Sequence, residues 1–432
     1  MKNNMIFILG LIEKRIWIVA TVLIVALGLY FSFKLKFIQF NIKGMYNSAN
    51  KKEESNGGIS SFKTLMLSLA GRIGVGSISG VALAIYVGGP GTIFWIWCIS
   101  ILSSTLAYAE TYLGVKYKEK DRGKIYKGGP AYYLKNALKM PRLGGLYAIM
   151  IVLCYGIGFM SIQSNTITKA VTNTIGVNAI FVGIVLSIIS FCIIFGGIEK
   201  ITNTTSKLVP IMSVVYIVIS FYVVLANIQI VPNIFETIVK SAFNMKSITA
   251  SFIPTLLIGV QRGIFSNEAG IGTGSIAAAS GESNDPVAQG YVQMIGIYIT
   301  SFLICTSTAI IVLTSNYGIL KIDDPNGIEI ATNAFTYHLG DMGNIILVVS
   351  IFLFAFSTIL SGYYYGESSL KYFFKTVDKR IIIVLKLVCV VVIFTGSITS
   401  PTLIWKFTDV LVAFLSLINI YALFKLRKDV KR

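Results

Sequence analysis

Two of the long apolar segments in this chain are broken by glycine-rich stretches, one in each half. The first reads Gly71-Arg-Ile-Gly74-Val-Gly76-Ser-Ile-Ser-Gly80. The second reads Gly259-Val-Gln-Arg-Gly263-Ile-Phe-Ser-Asn-Glu-Ala-Gly270-Ile-Gly272-Thr-Gly274. Few features constrain a fold more tightly. A bilayer core holds no water to take the N–H and C=O groups that an unwound helix frees. Such a break survives there only against protein or a polar cavity.

The apolar setting follows from composition. Of 432 residues, 55% are hydrophobic and 13% charged, and the mean hydropathy is +0.75. A soluble domain carries roughly 25% charged residues, so the chain is an integral membrane protein. Many runs approach the roughly 20 residues that cross a bilayer as a helix. The alternation of an outer-membrane barrel is absent. The formal net charge is +18. Its basic residues cluster in short loops, which fits membrane topology and anionic lipid, and no nucleic-acid partner is expected. Cys98, Cys154, Cys192, Cys305 and Cys389 stand singly in apolar runs, without metal-ligand spacing. One histidine, His338, builds neither a metal site nor a catalytic triad. The run Ile16 to Phe33 lacks a small-x-small cleavage site and is expected to stay as a helix.

Hydropathy predicts about eleven transmembrane helices in an all-α fold, near 16–34, 63–86, 92–115, 145–173, 179–197, 208–229, 251–280, 288–315, 343–370, 381–399 and 403–424. Four basic groups then fall on one side, which makes it cytoplasmic. They are the loop with Lys34, Lys36, Lys43, Lys51, Lys52 and Lys63, the loop with Lys116, Lys118, Lys120, Arg122, Lys124 and Lys127, the loop with Lys371, Lys375, Lys379 and Arg380, and the tail with Lys425, Arg427, Lys428, Lys431 and Arg432. The loop with Asp323, Asp324, Glu329 and Asp341 falls outside. Lys14 and Arg15 at the external N-terminus dissent mildly. The two broken segments then run in opposite directions, each opening a five-helix unit, and inverted repeats of this kind build many secondary transporters. The expected parts are an N-terminal helix and linker (1–61), a first repeat (62–230, broken near 71–80), a second repeat (250–426, broken near 262–272) and a basic tail (427–432).

An unwound helix offers N–H groups to an anion at one half and C=O groups to a cation at the other. Gly74, Val75, Gly76 and Ser77 are candidates for an N–H cradle. The same glycines could instead serve close helix packing. Gln163 and Asn165 are polar residues in an apolar helix, and Ser357-Thr358 could offer two hydroxyls to a hard cation or bond their own backbone. Charges inside helices are costly. Arg72 and Glu268 fall on the cytoplasmic side of the breaks and Arg262 on the external side. Arg72 is expected to pair with Glu268, with Glu110 or Glu367 as alternatives, either as a gate or as a permanent ion pair.

Several motifs resemble the alanine/glycine:cation (sodium:alanine) symporter family. They are Ser68-Leu-Ala-Gly-Arg-Ile-Gly-Val-Gly-Ser-Ile-Ser-Gly-Val-Ala82, Gly88-Gly-Pro-Gly-Thr-Ile-Phe-Trp-Ile-Trp97, Gly128-Gly-Pro-Ala-Tyr-Tyr133, Gly196-Gly-Ile198 with Lys207-Leu-Val-Pro210, Arg262-Gly-Ile-Phe-Ser-Asn-Glu-Ala-Gly270, and Phe356-Ser-Thr-Ile-Leu360 with Tyr364-Tyr-Gly-Glu367. Phe37-Ile-Gln-Phe40 also fits, so the resemblance covers nearly the whole chain. It implies a LeuT-like five-plus-five inverted repeat with one extra N-terminal helix, acting as a monomer in the cell membrane. The implied activity is sodium-driven import of a small neutral amino acid. A proton-coupled or altered-substrate relative, or a sensor or channel derived from the fold, is the alternative. No enzyme is implied. Gly74, Val75, Gly76, Ser77, Gln163, Phe265, Ser266, Thr358 and Gly362 would bind substrate. Sodium would sit among the carbonyls of Ala70 and Ile73 and the hydroxyls of Ser357 and Thr358. The chain departs from the family pattern in two places. Val75-Gly-Ser77 replaces Thr-Gly-Asn, and Ser361-Gly362 replaces a Gly-Trp pair. Loss of that tryptophan should enlarge the pocket by roughly 100 Å³ or more, going by the surface a tryptophan buries, and so either admit a bulkier substrate than alanine or loosen selectivity.

Overall fold

The computed structural model describes residues 2–51, 58–121, 125–244, 252–319, 326–374, 378–399 and 401–432, and these are almost wholly helical. Lys52, Arg122, Lys124, Lys375, Asp323 and Asp324, named above as loop charges, lie outside the described residues, as do positions 250 and 251.

Helix α1 (Lys2–Lys34) leads through the linker helix α2 (Ile42–Ala49) to α3 (Ser61–Arg72) and α4 (Val81–Gly88), the two arms of the first broken helix. The long α5 (Gly91–Lys116), a two-stranded hairpin (β1 Glu119–Lys120, β2 Tyr126–Lys127) and α6 (Pro130–Asn136) follow. Next come α7 (Pro141–Leu153), α8 (Met160–Ile175), α9 (Ala179–Ile194), α10 (Gly197–Ala226) and α11 (Val231–Ala242). The second half opens on α12 (Ile253–Asn267) and α13 (Thr273–Ala279), the arms of the second broken helix. It continues through α14 (Pro286–Tyr298), α15 (Thr306–Leu313), α16 (Gly327–Leu339), α17 (Asp341–Leu370), α18 (Lys379–Ile398) and α19 (Pro401–Lys425). Among the described residues, eight helices are long and apolar enough to cross a membrane. There are nine if α3 and the arm beyond it count as one span bent by 50°. Helix α9, with 16 residues, and the pair α12–α13, with 15 and 7, fall short of that length.

Burial separates a polar centre from a greasy rim. Helix α10 turns Ile211, Val214, Val218, Phe221 and Leu225 outward, a band that only lipid tolerates. Helix α17 is enclosed over most of its length and packs against α3, α7, α8 and α10. Single π-helical turns widen the spans at Gly76–Gly80, Cys154–Phe159 and Ile299–Cys305. Such turns redirect side chains and recur at functional sites.

The second break occupies only the latter half of the expected stretch 262–272. Residues 262 to 267 are helical, and unwinding spans Glu268 to Gly272, where Glu268 (φ 56°), Gly270 (φ 84°) and Gly272 (φ 105°) take left-handed backbone. Gly259 and Gly263 serve close packing instead. A Cβ on either would fall 2.6 Å from α5, on Thr92 O and Ile99 Cγ2 respectively. Small residues at a helix contact explain these two glycines.

The linker is also tied down. Lys51 pairs with Asp285 at 2.6 Å, at the N-cap of α14. Burial alone would raise the Asp285 carboxyl. The Lys51 ammonium and the N–H groups of Ala288 and Val287 outweigh it and hold the group below its ordinary value.

Candidate substrate and sodium site

The first break bends the chain at Ile73, whose ψ of 69° turns its carbonyl off the helix axis. Around that bend α3, α8, α12 and α17 bring together residues distant in sequence. The Val75 N–H donates to Gln163 Oε1 at 3.2 Å. Position 74 must be glycine, because a Cβ there would lie 2.5 Å from Thr358 Oγ1 and 3.2 Å from Gln163 Nε2. Gly76 meets the Phe265 ring, 3.1 Å from where its Cβ would be. Ser77 Oγ lies 3.1 Å from Ser266 Oγ, a direct link between the two broken helices. All these side chains are buried.

The hydroxyl pair sits against the same bend. Thr358 Oγ1 donates to Ala70 O at 2.8 Å, and Ser357 Oγ reaches the same carbonyl at 3.3 Å. Each hydroxyl has a second acceptor on its own helix, Phe354 O, at 3.1 and 2.8 Å. Their protons can therefore turn to Phe354 O and leave three oxygens facing one point, a donor set that suits a hard monovalent cation. An N–H cradle and an oxygen cluster thus stand side by side on one unwound turn.

Gly362 lies one turn beyond Thr358 but does not face open space. A Cβ there would lie 3.2 Å from Tyr155 O, so the wide turn Cys154–Phe159 fills the region where an enlarged pocket was expected. That turn carries an aromatic stack. Tyr155 lies parallel to Phe159 at 4.5 Å, and Phe159 stacks on Phe265 at 5.1 Å.

The charged residues part company with the sequence expectation. Arg72 and Glu268 form no ion pair in this structure. Both Glu268 oxygens are already held, Oε1 by Tyr155 OH at 2.9 Å and Oε2 by Thr273 Oγ1 at 2.7 Å. The Arg72 guanidinium points instead between α13 and α14, where Nη1 donates to Gln293 O at 3.1 Å. Gly274 and Gly296 make room for it, since a Cβ at Gly274 would collide with Nη2 and one at Gly296 would lie 2.5 Å from Nη1. The alternatives are engaged elsewhere. Glu110 Oε2 accepts from Gly270 N–H at 3.1 Å and from Asn419 Nδ2 at 2.9 Å. Glu367 pairs with Lys371 at 2.9 Å. Glu110 and Asn419 have a task of their own: with Tyr147, whose OH donates to Ile271 O at 2.7 Å, they satisfy the backbone that the second break frees.

A vestibule of about 380 Å³ opens on the α4 side of the site. Arg262 stands in it, its guanidinium 5.8 Å from the Phe265 ring and 6.0 Å from Trp405. On the α3 side, by contrast, Ser68, Ala70 and Arg72 are buried in packed protein. Several residues of this region escaped the sequence reading: Tyr155, Phe159, Trp405, Asp409, Asn419 and Glu13. The glycine pair Gly156 and Gly158 marks the aromatic turn, and Asp409 and Asn419 are polar residues inside an apolar run, so a signal for these was present.

Two broken helices that meet at a buried polar centre, inside an all-helical membrane protein, define a secondary transporter of the LeuT fold. Solved structures agree on the fold. MhsT in complex with L-phenylalanine superposes with a TM-score of 0.59 at 12% identity, over 84% of this chain and 88% of that one. A Na+-coupled sialic acid symporter in its substrate-bound outward-open state gives 0.57 at 14% identity, over 96% and 87%. The family model described as the sodium:alanine symporter family matches residues 2–432. Curated relatives include the amino-acid carrier protein AlsT of Bacillus subtilis, 36% identical over 94% of this chain and 86% of that protein. The sodium/alanine symporter AgcS of Methanococcus maripaludis is 34% identical over 93% and 90%. The probable sodium/glutamine symporter GlnT of Bacillus subtilis is 35% identical over 98% and 88%. This chain belongs to the sodium:alanine symporter family, a family of membrane symporters and not a class of enzymes.

Proposed function

We propose that the protein imports a small neutral amino acid together with sodium by alternating access. The observation that carries this reading is the junction of the Val75 N–H cradle with the Ala70, Ser357 and Thr358 oxygens on one bent turn. The substrate carboxylate takes the Val75 N–H in place of the Gln163 amide oxygen, with the Gly76 N–H beside it and the Ser77 hydroxyl close by. Sodium takes the Ala70 and Ile73 carbonyls and the two hydroxyls. Phe265 and Gln163 wall the pocket, and Ser77 and Ser266 floor it. Because sodium and carboxylate share the turn, each stabilises the other's site.

Counting the broken pair α12–α13 and the short α9 as spans gives eleven, in two inverted units of five after α1. The cluster of lysines and arginines then supports a cytoplasmic C-terminus in a cell-membrane protein, with the vestibule opening outside. The protein works as a monomer. Ser77 in place of asparagine leaves room beside Ser266, so substrates range from alanine to somewhat larger neutral side chains. Uptake of labelled alanine, glycine and glutamine into proteoliposomes tests the reading. An inward sodium gradient should drive accumulation of at least one. Accumulation that follows a pH gradient and ignores sodium would overturn sodium coupling and put the proton in its place.

A further inference from the structure

Helix α1 stands outside the two repeats, and the transport chemistry above leaves it idle. Its position is not idle. Glu13 Oε1 accepts a hydrogen bond from Gln261 Nε2 at 3.2 Å, and its Oε2 lies 3.6 Å from Lys406 Nζ. Gln261 and Lys406 are the chain neighbours of Arg262 and Trp405, the two residues that meet over Phe265. One carboxylate from the extra helix therefore holds both sides of the roof above the site. We propose that α1 is a working part of the outer gate, with Glu13 as a positioning residue that ties the outer end of α12 to α19.

The face of α1 is shaped for this. Gly10, one turn before Glu13, clears space for the lysine, since a Cβ there would lie 3.2 Å from Lys406 Nζ. Trp17, one turn after, is 3% exposed and donates its indole N–H to Asp409 O at 3.2 Å. Residues three and four apart share a helix face, so Gly10, Glu13 and Trp17 form one strip against α12 and α19. Anchoring by apolar packing alone would need no carboxylate, and a charge beside apolar helices costs free energy unless it is used. Closure of the vestibule brings α12 and α19 together over the substrate. With Glu13 in place that approach is short; without it, α12 stands off and the substrate leaves more readily.

The proposal rests on the transport reading and on the orientation given above, and its test separates the three. Glu13→Ala should raise KM for the amino acid about three-fold with Vmax kept, the range of a partly exposed ion pair. Glu13→Gln, which retains an acceptor for Gln261, should raise it less. Glu13→Lys with Lys406→Glu should return KM toward the wild-type value, while either reversal alone should not. A second readout needs no transport. Leu83→Cys places a thiol on the vestibule wall, with Cys98 and Cys192 replaced by serine, and an impermeant thiol reagent is applied to right-side-out and inverted vesicles. Labelling from outside, accelerated about three-fold by Glu13→Ala and slowed again by the double reversal, is expected. If Glu13→Ala changes neither KM nor labelling rate, or the double reversal is as impaired as the singles, the clamp does not exist. Labelling from the cytoplasmic side alone would overturn the orientation and the outer placement of the gate.

Discussion

Thr358→Val removes one hydroxyl and keeps the shape, so it isolates what that oxygen does. In the structure Thr358 Oγ1 bonds Ala70 O at 2.8 Å and Phe354 O at 3.1 Å. Ser357 still reaches Ala70 O at 3.3 Å, so the carbonyl keeps a partner and the helix contact should survive. The fold loses one neutral hydrogen bond, about 1 kcal/mol. Sodium loses one of its oxygens. A polar contact to a charged group is worth about 1.5–3 kcal/mol, which corresponds to roughly a ten- to hundred-fold weaker site at 1.4 kcal/mol per decade. The assay is initial uptake at fixed amino acid across a sodium titration. Half-saturation should move up ten-fold or more in Thr358→Val and little in Thr358→Ser, with uptake recovering at saturating sodium. An unchanged sodium titration with a lowered amino-acid affinity would refute the ion-ligand role and leave Thr358 as a pocket wall only.

Further expectations follow from tight contacts. Gly74→Ala puts a methyl 2.5 Å from Thr358 Oγ1 and should cut uptake at least about ten-fold, as small misplacements at a reacting centre do, with surface expression retained. Gly274→Ala puts a methyl against the buried Arg72 guanidinium; pushing Nη1 off Gln293 O loses a hydrogen bond made by a charged group, about 1.5–3 kcal/mol, read as a lower Tm in detergent. Gly362→Trp should reduce uptake of every substrate, because the indole must push the Tyr155 turn aside. Gly362→Ala, whose Cβ meets Tyr155 O at 3.2 Å, should be tolerated and leave substrate preference unchanged in competition assays; a shift toward glycine and alanine would put Gly362 back in the pocket wall.

The membrane setting and the two breaks were legible because hydropathy and glycine spacing are local properties. So was the gathering of Gly74, Gln163, Phe265 and Thr358, through motifs that mark fold positions. The Arg72–Glu268 pairing failed for a physical reason. Sequence shows that both charges are buried near the centre, but not which way a long side chain points. Tyr155 and Thr273 take the carboxylate, and two glycines on other helices draw the guanidinium away. The narrowing of the second break from 262–272 to Glu268–Gly272 has a similar origin. A glycine that lets two helices touch and a glycine that lets one unwind look alike until the neighbour is known. The link from Glu13 to Lys406 joins the two ends of the chain, beyond any local pattern.

Reciprocal binding on the purified protein addresses the shared turn most directly. Binding of labelled alanine or glutamine is measured against sodium concentration, and the sodium dependence is then measured at fixed amino acid. Cation and carboxylate on one bent helix should each raise the other's affinity by the same factor, in the range of about 5- to 150-fold. Amino-acid binding that is indifferent to sodium would contradict the shared site.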